Sequence, residues 1–223
     1  DAYAGDTVCA PSRCSLLTGL TTGHCRIRGN LKVDLKPEDF TVTESLHNDG
    51  YDVFSIGKWS MGKVGSSGDP THKGVDYFFG FIDQTHAHNY YPSFLYRNET
   101  RIALPNVVPN EGRYGQGVAS EKVVYVGDLF DRETDAFLAQ QHAGGQPFFM
   151  YLAYTAPHAN GEAKENEVPS LGIYKDKDWP LPEKQYAALV GNLDDSVGKV
   201  VAGLDKAGVL HNTMIIFASD NGA

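Results

Sequence analysis

The first twenty residues contain a cysteine placed close to a basic side chain. Residues 9–19 have the sequence CAPSRCSLLTG. Pro11 suits the first turn of a helix, so we expect Cys9 at a helix N-terminus, where free N–H groups and the helix dipole favour an anion. Arg13 lies one turn further along and adds a permanent positive charge. An unmodified Cys9 in this setting would be a reactive thiolate.

Three later groups of polar residues each follow an apolar run of strand length. Lys58 could neutralise charge on a bound anion. His158 is a candidate general acid, and open α/β sheets place their sites at the carboxyl ends of strands. Asp220 and Asn221 offer the oxygen atoms that a hard cation such as calcium prefers. The sequence thus predicts an anion site, a proton donor and part of a metal site.

The apolar runs and helical patterns indicate an α/β sheet. Strands are expected over residues 51–56, 147–154 and 213–218, and the continuous run 147–154 is typical of a central strand buried on both faces. Helices are expected over 120–142 and from Tyr186 to Leu204, ending near Gly208. This order favours parallel neighbouring strands. Residues 62–73 and 90–117 are predicted to be long loops.

The segment 9–19 matches the sulfatase pattern C-x-P-S-R-x-x-L-x-T-G at every fixed position. The chain therefore resembles the type I, formylglycine-dependent sulfatases, and is most similar to bacterial arylsulfatase-like members. The resemblance implies an alkaline-phosphatase-like fold with a mixed, mostly parallel sheet flanked by helices. It also implies hydrolysis of sulfate esters of small molecules or carbohydrates, and a periplasmic or secreted location. Residues 1–223 are expected to form a single partial catalytic domain, truncated at both ends.

The resemblance also assigns roles to the candidate residues. Cys9 would be converted to formylglycine by a formylglycine-generating enzyme, and its hydrated aldehyde would be the nucleophile. Arg13 and Lys58 would balance the charge of the sulfate, and His158 would protonate the leaving oxygen. The modified Cys9, Asp220 and Asn221 would bind Ca²⁺, or alternatively Mg²⁺. The family's two N-terminal acidic ligands have no counterpart before Cys9, and its further lysine is expected beyond residue 223.

One position departs from the family pattern. Residues 57–62 are GKWSMG, and Ser60 stands where sulfatases have a histidine that faces the sulfate. A serine is shorter and cannot carry a proton charge near pH 7. The segment 83–92, DQTHAHNYYP, resembles a loop of bacterial relatives that lies near the sulfate. Spacing alone does not choose between Gln84, His86 and His88 as the substrate-binding group.

Two other functions stay open at this stage. Ser60 is compatible with a non-catalytic or impaired sulfate-binding relative. A phosphatase or phosphonate hydrolase of the same superfamily is the other alternative, and the C-x-P-S-R context disfavours it. The net charge of −9 argues against a nucleic-acid partner. No apolar run reaches the roughly 18 residues that a membrane-spanning helix needs.

The odd number of cysteines cannot form a complete disulfide framework. All three lie within the first 25 residues, at positions 9, 14 and 25, and their spacing fits no common zinc site. Cys14 could pair with Cys25 or with a cysteine elsewhere. Free buried thiols are the other interpretation.

Overall fold

The computed structural model describes residues 3–163 and 165–222. Five strands within these ranges form one sheet in the order β4-β3-β2-β1-β5. Their bounds are Asp52–Lys58 (β1), Tyr77–Phe81 (β2), Phe94–Arg97 (β3), Thr100–Ala103 (β4) and Phe148–Ala153 (β5). β1 pairs in parallel with β2 and β5, whereas β3 is antiparallel to β2 and β4. The sheet is therefore mixed, with its parallel half around β1.

Four α-helices accompany the sheet. They are α1 (Cys9–Thr18), α2 (Val42–Asn48), α3 (Val126–Leu138) and α4 (Leu181–Lys206). Helix α1 begins at Cys9, as predicted, and stops at Gly19, whose φ of 68° allows the left-handed cap. Helix α2 begins with a capping box between Thr41 and Glu44.

Helices pack on both faces of the sheet. Side chains on opposite faces of β1 therefore belong to different apolar clusters. Val53 packs in a cluster that contains Leu17 of α1 and Trp59. Ile56 belongs to a second cluster, which includes Phe130 of α3 and Leu189 of α4. The predicted α/β architecture is thus confirmed, and the parallel strands β1 and β5 end on the same edge of the sheet.

The predicted strand over residues 213–218 is wrong for this structure. The segment is extended, but it joins no ladder among the described residues. Met214, Ile216 and Phe217 are 86%, 80% and 72% exposed. An apolar, β-branched run becomes a strand only where a neighbouring strand supplies hydrogen-bond partners. No described strand pairs with this segment.

The predicted central position of residues 147–154 also needs correction. β5 is an edge strand, paired only with β1 among the described strands, and residues 148–152 are half-buried. A continuous apolar run indicates burial of the two faces, but it says nothing about how many strands pair alongside. The outer edge of β5 therefore carries backbone groups without a described strand partner.

Shorter elements account for the other differences. The predicted loop 90–117 contains the hairpin β3–β4. Strand β2 and helix α2 were not predicted. Strands of four or five residues give too few positions for a periodic pattern. The helix predicted over 120–142 is observed only as α3. The helix predicted from Tyr186 to Leu204 is observed as α4, which begins earlier, at Leu181. Residues 62–73 form a loop that ends in the 3-10 turn Pro70–Lys73.

All three cysteines are free and buried, in line with the second interpretation of the cysteine pattern. Burial is the main reason that the pKa of Cys14 rises to about 11, and nearby Cys25 contributes. Among the helices of residues 3–163 and 165–222, none combines the length and apolarity needed to cross a bilayer.

Candidate active site

Cys9 lies at the start of α1, and a side chain from another segment caps this helix end. The residue before the helix, Val8, provides no side-chain cap. Instead, Asn30 accepts a hydrogen bond from the backbone N–H of Ala10 at 3.1 Å and a weak one from Cys9 Sγ at 3.5 Å. Asn30 thus fixes the thiol against the helix N-terminus. Asn30 was not predicted, because a cap 20 residues away along the chain has no local signature in the sequence.

Arg13 connects the three segments that form the site. Its Nη1 donates to the carbonyl oxygen of Lys58 at 2.9 Å and to the hydroxyl of Tyr151 at 3.1 Å. Its Nη2 forms an ion pair with Asp220 Oδ2 at 2.8 Å. Burial disfavours the charged guanidinium, but Tyr151, Asp220 and then Cys9 raise the pKa of this group above its ordinary value. Arg13 therefore stays charged beside Cys9.

Lys58 is the last residue of β1 and is almost completely buried. Burial lowers the pKa of Lys58, and the positive charge of Arg13 lowers it further. The negative charges of a Cys9 thiolate and of Asp220 act in the opposite direction. The positive charges of Arg13 and Lys58 are buried near the Cys9 thiol and repel each other. An anion bound there would be attracted by both.

His158 follows β5 and reaches the same edge of the sheet. Its Nδ1 lies 2.6 Å from the carbonyl oxygen of Ala159. A carbonyl only accepts, so Nδ1 carries the proton and donates, which leaves Nε2 as the atom that can take or give a proton. Tyr90 OH donates to the carbonyl oxygen of His158 at 2.7 Å and holds its backbone. The side chain itself is exposed.

A buried polar pair fixes the loop that follows His158. Asn160 Nδ2 donates to Glu167 Oε2 at 2.7 Å and to the carbonyl oxygen of Gly117 at 3.1 Å. Lys122 Nζ lies 2.8 Å from the other carboxylate oxygen of Glu167. This loop is thereby tied to the long connection before α3. Neither Asn160 nor Glu167 was among the predicted residues.

Ser60 and the loop candidates Gln84, His86 and His88 lie in different surroundings. Gln84 is buried, and its Oε1 has no hydrogen-bond partner among the described residues. Ser60 is half-buried, with a φ of 68° and a buried Oγ that has no hydrogen-bond partner in the described part of the chain. His86 is fully buried between Phe81 and Phe94, which argues against contact with a substrate. The ring of His88 instead stacks on His158, with ring centroids 4.2 Å apart.

The candidate metal ligands occupy the end of the exposed segment 213–222. Asp220 is bound to α1 twice, through its ion pair with Arg13 and through a hydrogen bond from Ser12 Oγ to its backbone carbonyl oxygen. Asn221 Nδ2 donates to the carbonyl oxygen of Gly222 at 2.7 Å. Within residues 3–163 and 165–222, no group of three or more His, Cys, Asp or Glu residues could hold a metal ion.

Comparisons with known proteins identify relatives of this chain. The chain is 26% identical to an uncharacterized sulfatase, YdeN, of Escherichia coli strain K12, over all of this chain and 40% of that protein. It is 29% identical to the N-acetylgalactosamine-6-sulfatase of Canis lupus familiaris, over 99% of this chain and 42% of that protein. The chain thus spans about 40% of the length of these curated relatives.

A solved structure from the glycosaminoglycan metabolism of Bacteroides thetaiotaomicron, designated 6S-sulf, shares the fold. It aligns with a TM-score of 0.73 at 19% identity, over all of this chain and 54% of that one. The family model described as Sulfatase matches residues 1–223. Since that match covers the whole sequence, including the helix that starts at Cys9, the chain belongs to the sulfatase family.

Proposed function

We propose that the protein hydrolyses sulfate esters and that Cys9 is converted to formylglycine. The observation that supports this most is the position of Cys9, at a buried helix N-terminus between the cations Arg13 and Lys58. A sulfate ester is an anion, and both the helix end and the two side chains favour negative charge. The surroundings of Cys9 also suit a hydroxyl-bearing group, because Asn30 accepts a hydrogen bond there and the ammonium of Lys58 interacts electrostatically with this position.

The residues around Cys9 divide the work of the reaction. In its hydrated form, a formylglycine at position 9 would supply a hydroxyl as the nucleophile toward sulfur. Arg13 and Lys58 hold the sulfuryl oxygens and stabilise the charge that develops on them. His158 donates a proton from Nε2 to the leaving oxygen, since its Nδ1 is already committed to Ala159. The stacked His88 and the hydrogen bond from Tyr90 keep this imidazole in place.

A divalent cation fits the chemistry of Asp220 and Asn221 in part. A carboxylate and an amide oxygen are suitable ligands for Ca²⁺ or Mg²⁺, and Asp220 contacts Ser12 and Arg13 of the helix that begins at Cys9. The cation would polarise the sulfuryl group. Two oxygen-bearing side chains do not complete a calcium shell of six to eight ligands, so the modified Cys9, water or other oxygen groups would have to supply the rest.

We further propose a sulfated carbohydrate as the substrate and a formylglycine-generating enzyme as a partner. A relative is named for its action on N-acetylgalactosamine-6-sulfate, and a neighbouring structure belongs to glycosaminoglycan metabolism. A phosphatase is less well supported, because the nucleophile position holds a cysteine within the sulfatase motif. The non-catalytic alternative depends on Ser60 alone.

Two cysteine substitutions in the full-length protein test this function. Cys9→Ala should abolish hydrolysis of 4-nitrophenyl sulfate, because no group at position 9 could then attack sulfur. Cys14→Ala is the matched control: it removes another buried thiol of α1 that points into the core, and turnover should stay within about threefold. Equal activity of Cys9→Ala and the wild type would contradict the proposed function.

A further inference from the structure

A cavity of about 190 Å³ lies between helices α3 and α4, next to the end of β5. Its lining includes Phe130 of α3, Ser196 of α4 and Tyr154, which follows β5. Phe130 and Tyr154 belong to the apolar cluster on one face of the sheet, whereas Leu17 of α1 packs in the cluster on the other face. The sheet therefore separates this cavity from the helix that begins at Cys9.

Three residues that line the cavity each have a buried polar atom with no partner at hydrogen-bonding geometry in the described part of the chain. These atoms are Asp131 Oδ1, Tyr154 Oη and Asn192 Nδ2. Asp131 is only 8% exposed, and its other carboxylate oxygen pairs with Lys199. Buried polar groups without a partner cost free energy, so native proteins satisfy them with other groups, water or a ligand. The cavity therefore calls for a polar occupant.

The size of the cavity sets the size of that occupant. A water molecule takes about 30 Å³ in the liquid, so the space corresponds to roughly six waters. That is more than is needed to bridge three polar atoms. A single pyranose ring is of comparable size.

The charges around the cavity exclude an anion. Asp128 and Asp195 line it and are exposed, and Asp131 adds a buried carboxylate. Lys199 is the cation of the lining. Three carboxylates and one ammonium leave a negative balance, which disfavours a sulfate or phosphate group. The ligand of this cavity must therefore differ in charge from the anion proposed to bind near Cys9.

Hydroxyl groups suit the unpaired atoms better than an ammonium group does. Asn192 Nδ2 can only donate a hydrogen bond, and the carboxylate of Asp131 can only accept one. An ammonium has no acceptor and would leave Asn192 unpaired, whereas a hydroxyl both donates and accepts. Burial raises the pKa of Tyr154, and the charge of Asp131 raises it further, so the phenol stays protonated and can donate.

We propose that the cavity between α3 and α4 binds one uncharged, hydroxyl-bearing sugar ring. Asp131, Tyr154 and Asn192 bond its hydroxyl groups, and the rings of Tyr125 and Phe130 contact its C–H groups. Aromatic walls with a few polar groups are typical of small-molecule sites. This site does not depend on the sulfatase function proposed above, because other residues on the other face of the sheet form it.

The first experiment measures binding of D-galactose and D-glucose to the full-length protein with Cys9 unmodified, by saturation-transfer NMR. We expect at least one of these hexoses to bind saturably, with a Kd on the order of 1 mM for a ligand of this size. Saturable binding of neither hexose would overturn the inference and indicate a cavity filled by water. Binding of ethanolamine in place of the hexoses would also overturn it, in favour of an amine site.

Inorganic sulfate serves as the competitor in the same measurement. Because the sheet separates the cavity from Cys9, we expect the Kd of the hexose to stay unchanged when sulfate is added. Displacement of the hexose by sulfate would place the sugar at the anion site and refute the inference.

Matched variants locate the bound sugar. Tyr154→Phe removes a hydroxyl without a described partner, so the protein should be no less stable, whereas hexose binding should weaken by about 3- to 10-fold. Asn192→Leu removes the amide at similar volume and should weaken binding by about the same factor. Tyr186 is an exposed residue of α4 outside the cavity, and Tyr186→Phe should leave the Kd unchanged. Unchanged hexose binding in both Tyr154→Phe and Asn192→Leu would show that the sugar binds elsewhere and would refute the proposal.

Discussion

Site residues come from both α1 and the segment 213–222, and the rest of the chain holds these two regions in different ways. In α1, eight of ten residues are buried, and Leu17 packs in the core beneath the sheet. In the segment 213–222, apolar side chains such as Ile216 are exposed. The contacts that hold the segment to the site are those of Asp220 with Arg13 and Ser12.

The difference shows that a site residue can be well placed without a well-packed element behind it. Arg13 is supported in three ways: by a buried helix, by two neutral hydrogen-bond acceptors and by a carboxylate. Asp220 depends on its two contacts with α1. Substitutions in α1 should therefore affect stability through packing, and those in the segment through single polar contacts.

The largest expected effect concerns packing. Leu17→Ala should lower the free energy of unfolding by about 2–5 kcal/mol, because it leaves a cavity in the core. Ile216→Ala removes apolar side-chain atoms from a position that is 80% exposed, and should change stability by less than about 0.5 kcal/mol. Urea denaturation of residues 1–223 measures both. Equal losses would mean that the segment is packed as firmly as α1.

A smaller effect is expected at the ion pair that joins the two regions. Asp220→Ala leaves the buried guanidinium of Arg13 without its carboxylate, and should lower stability by about 1.5–3 kcal/mol. Asp220→Asn can keep one hydrogen bond, so its loss should be smaller. The same denaturation experiment compares the two variants. If Asp220→Ala has no effect, the segment is not attached to α1 through this pair.

The smallest effect is expected at Ser12. Its hydroxyl donates a hydrogen bond to the backbone carbonyl oxygen of Asp220. Ser12→Ala should therefore lower the free energy of unfolding by about 0.5–1.5 kcal/mol. The exposed Ser219 is the control, and Ser219→Ala should be nearly neutral. The effects of Ser12→Ala and Asp220→Ala should not add, since both loosen the same attachment. Full additivity would show that the two contacts act independently.

The sequence predicted the local features of the site well. The helix that starts at Cys9 follows from Pro11 and the motif around it, and Lys58 and His158 end or follow strands as expected. Such features depend on neighbours in the chain. The spacing of the motifs also placed Arg13 next to Cys9.

Features set by distant parts of the chain were not predictable. Asn30 caps α1 across a separation of 20 residues, and Asn160 meets the buried Glu167 in an irregular loop. The segment 213–218 has a strand-like composition, yet strand formation depends on a partner that composition does not reveal. The contrast between His86 and His88 likewise required the packing of Phe81 and Phe94 to be known.

The central claim is that Cys9 becomes the nucleophile of a sulfatase, and the mass of one peptide tests it most directly. The full-length protein is coexpressed with a formylglycine-generating enzyme, purified and digested, and the peptide that contains Cys9 is weighed by mass spectrometry. The account predicts that this peptide is about 18 Da lighter than the unmodified form, as conversion of a thiol to an aldehyde requires. An unmodified Cys9 in a preparation with full sulfatase activity would contradict it.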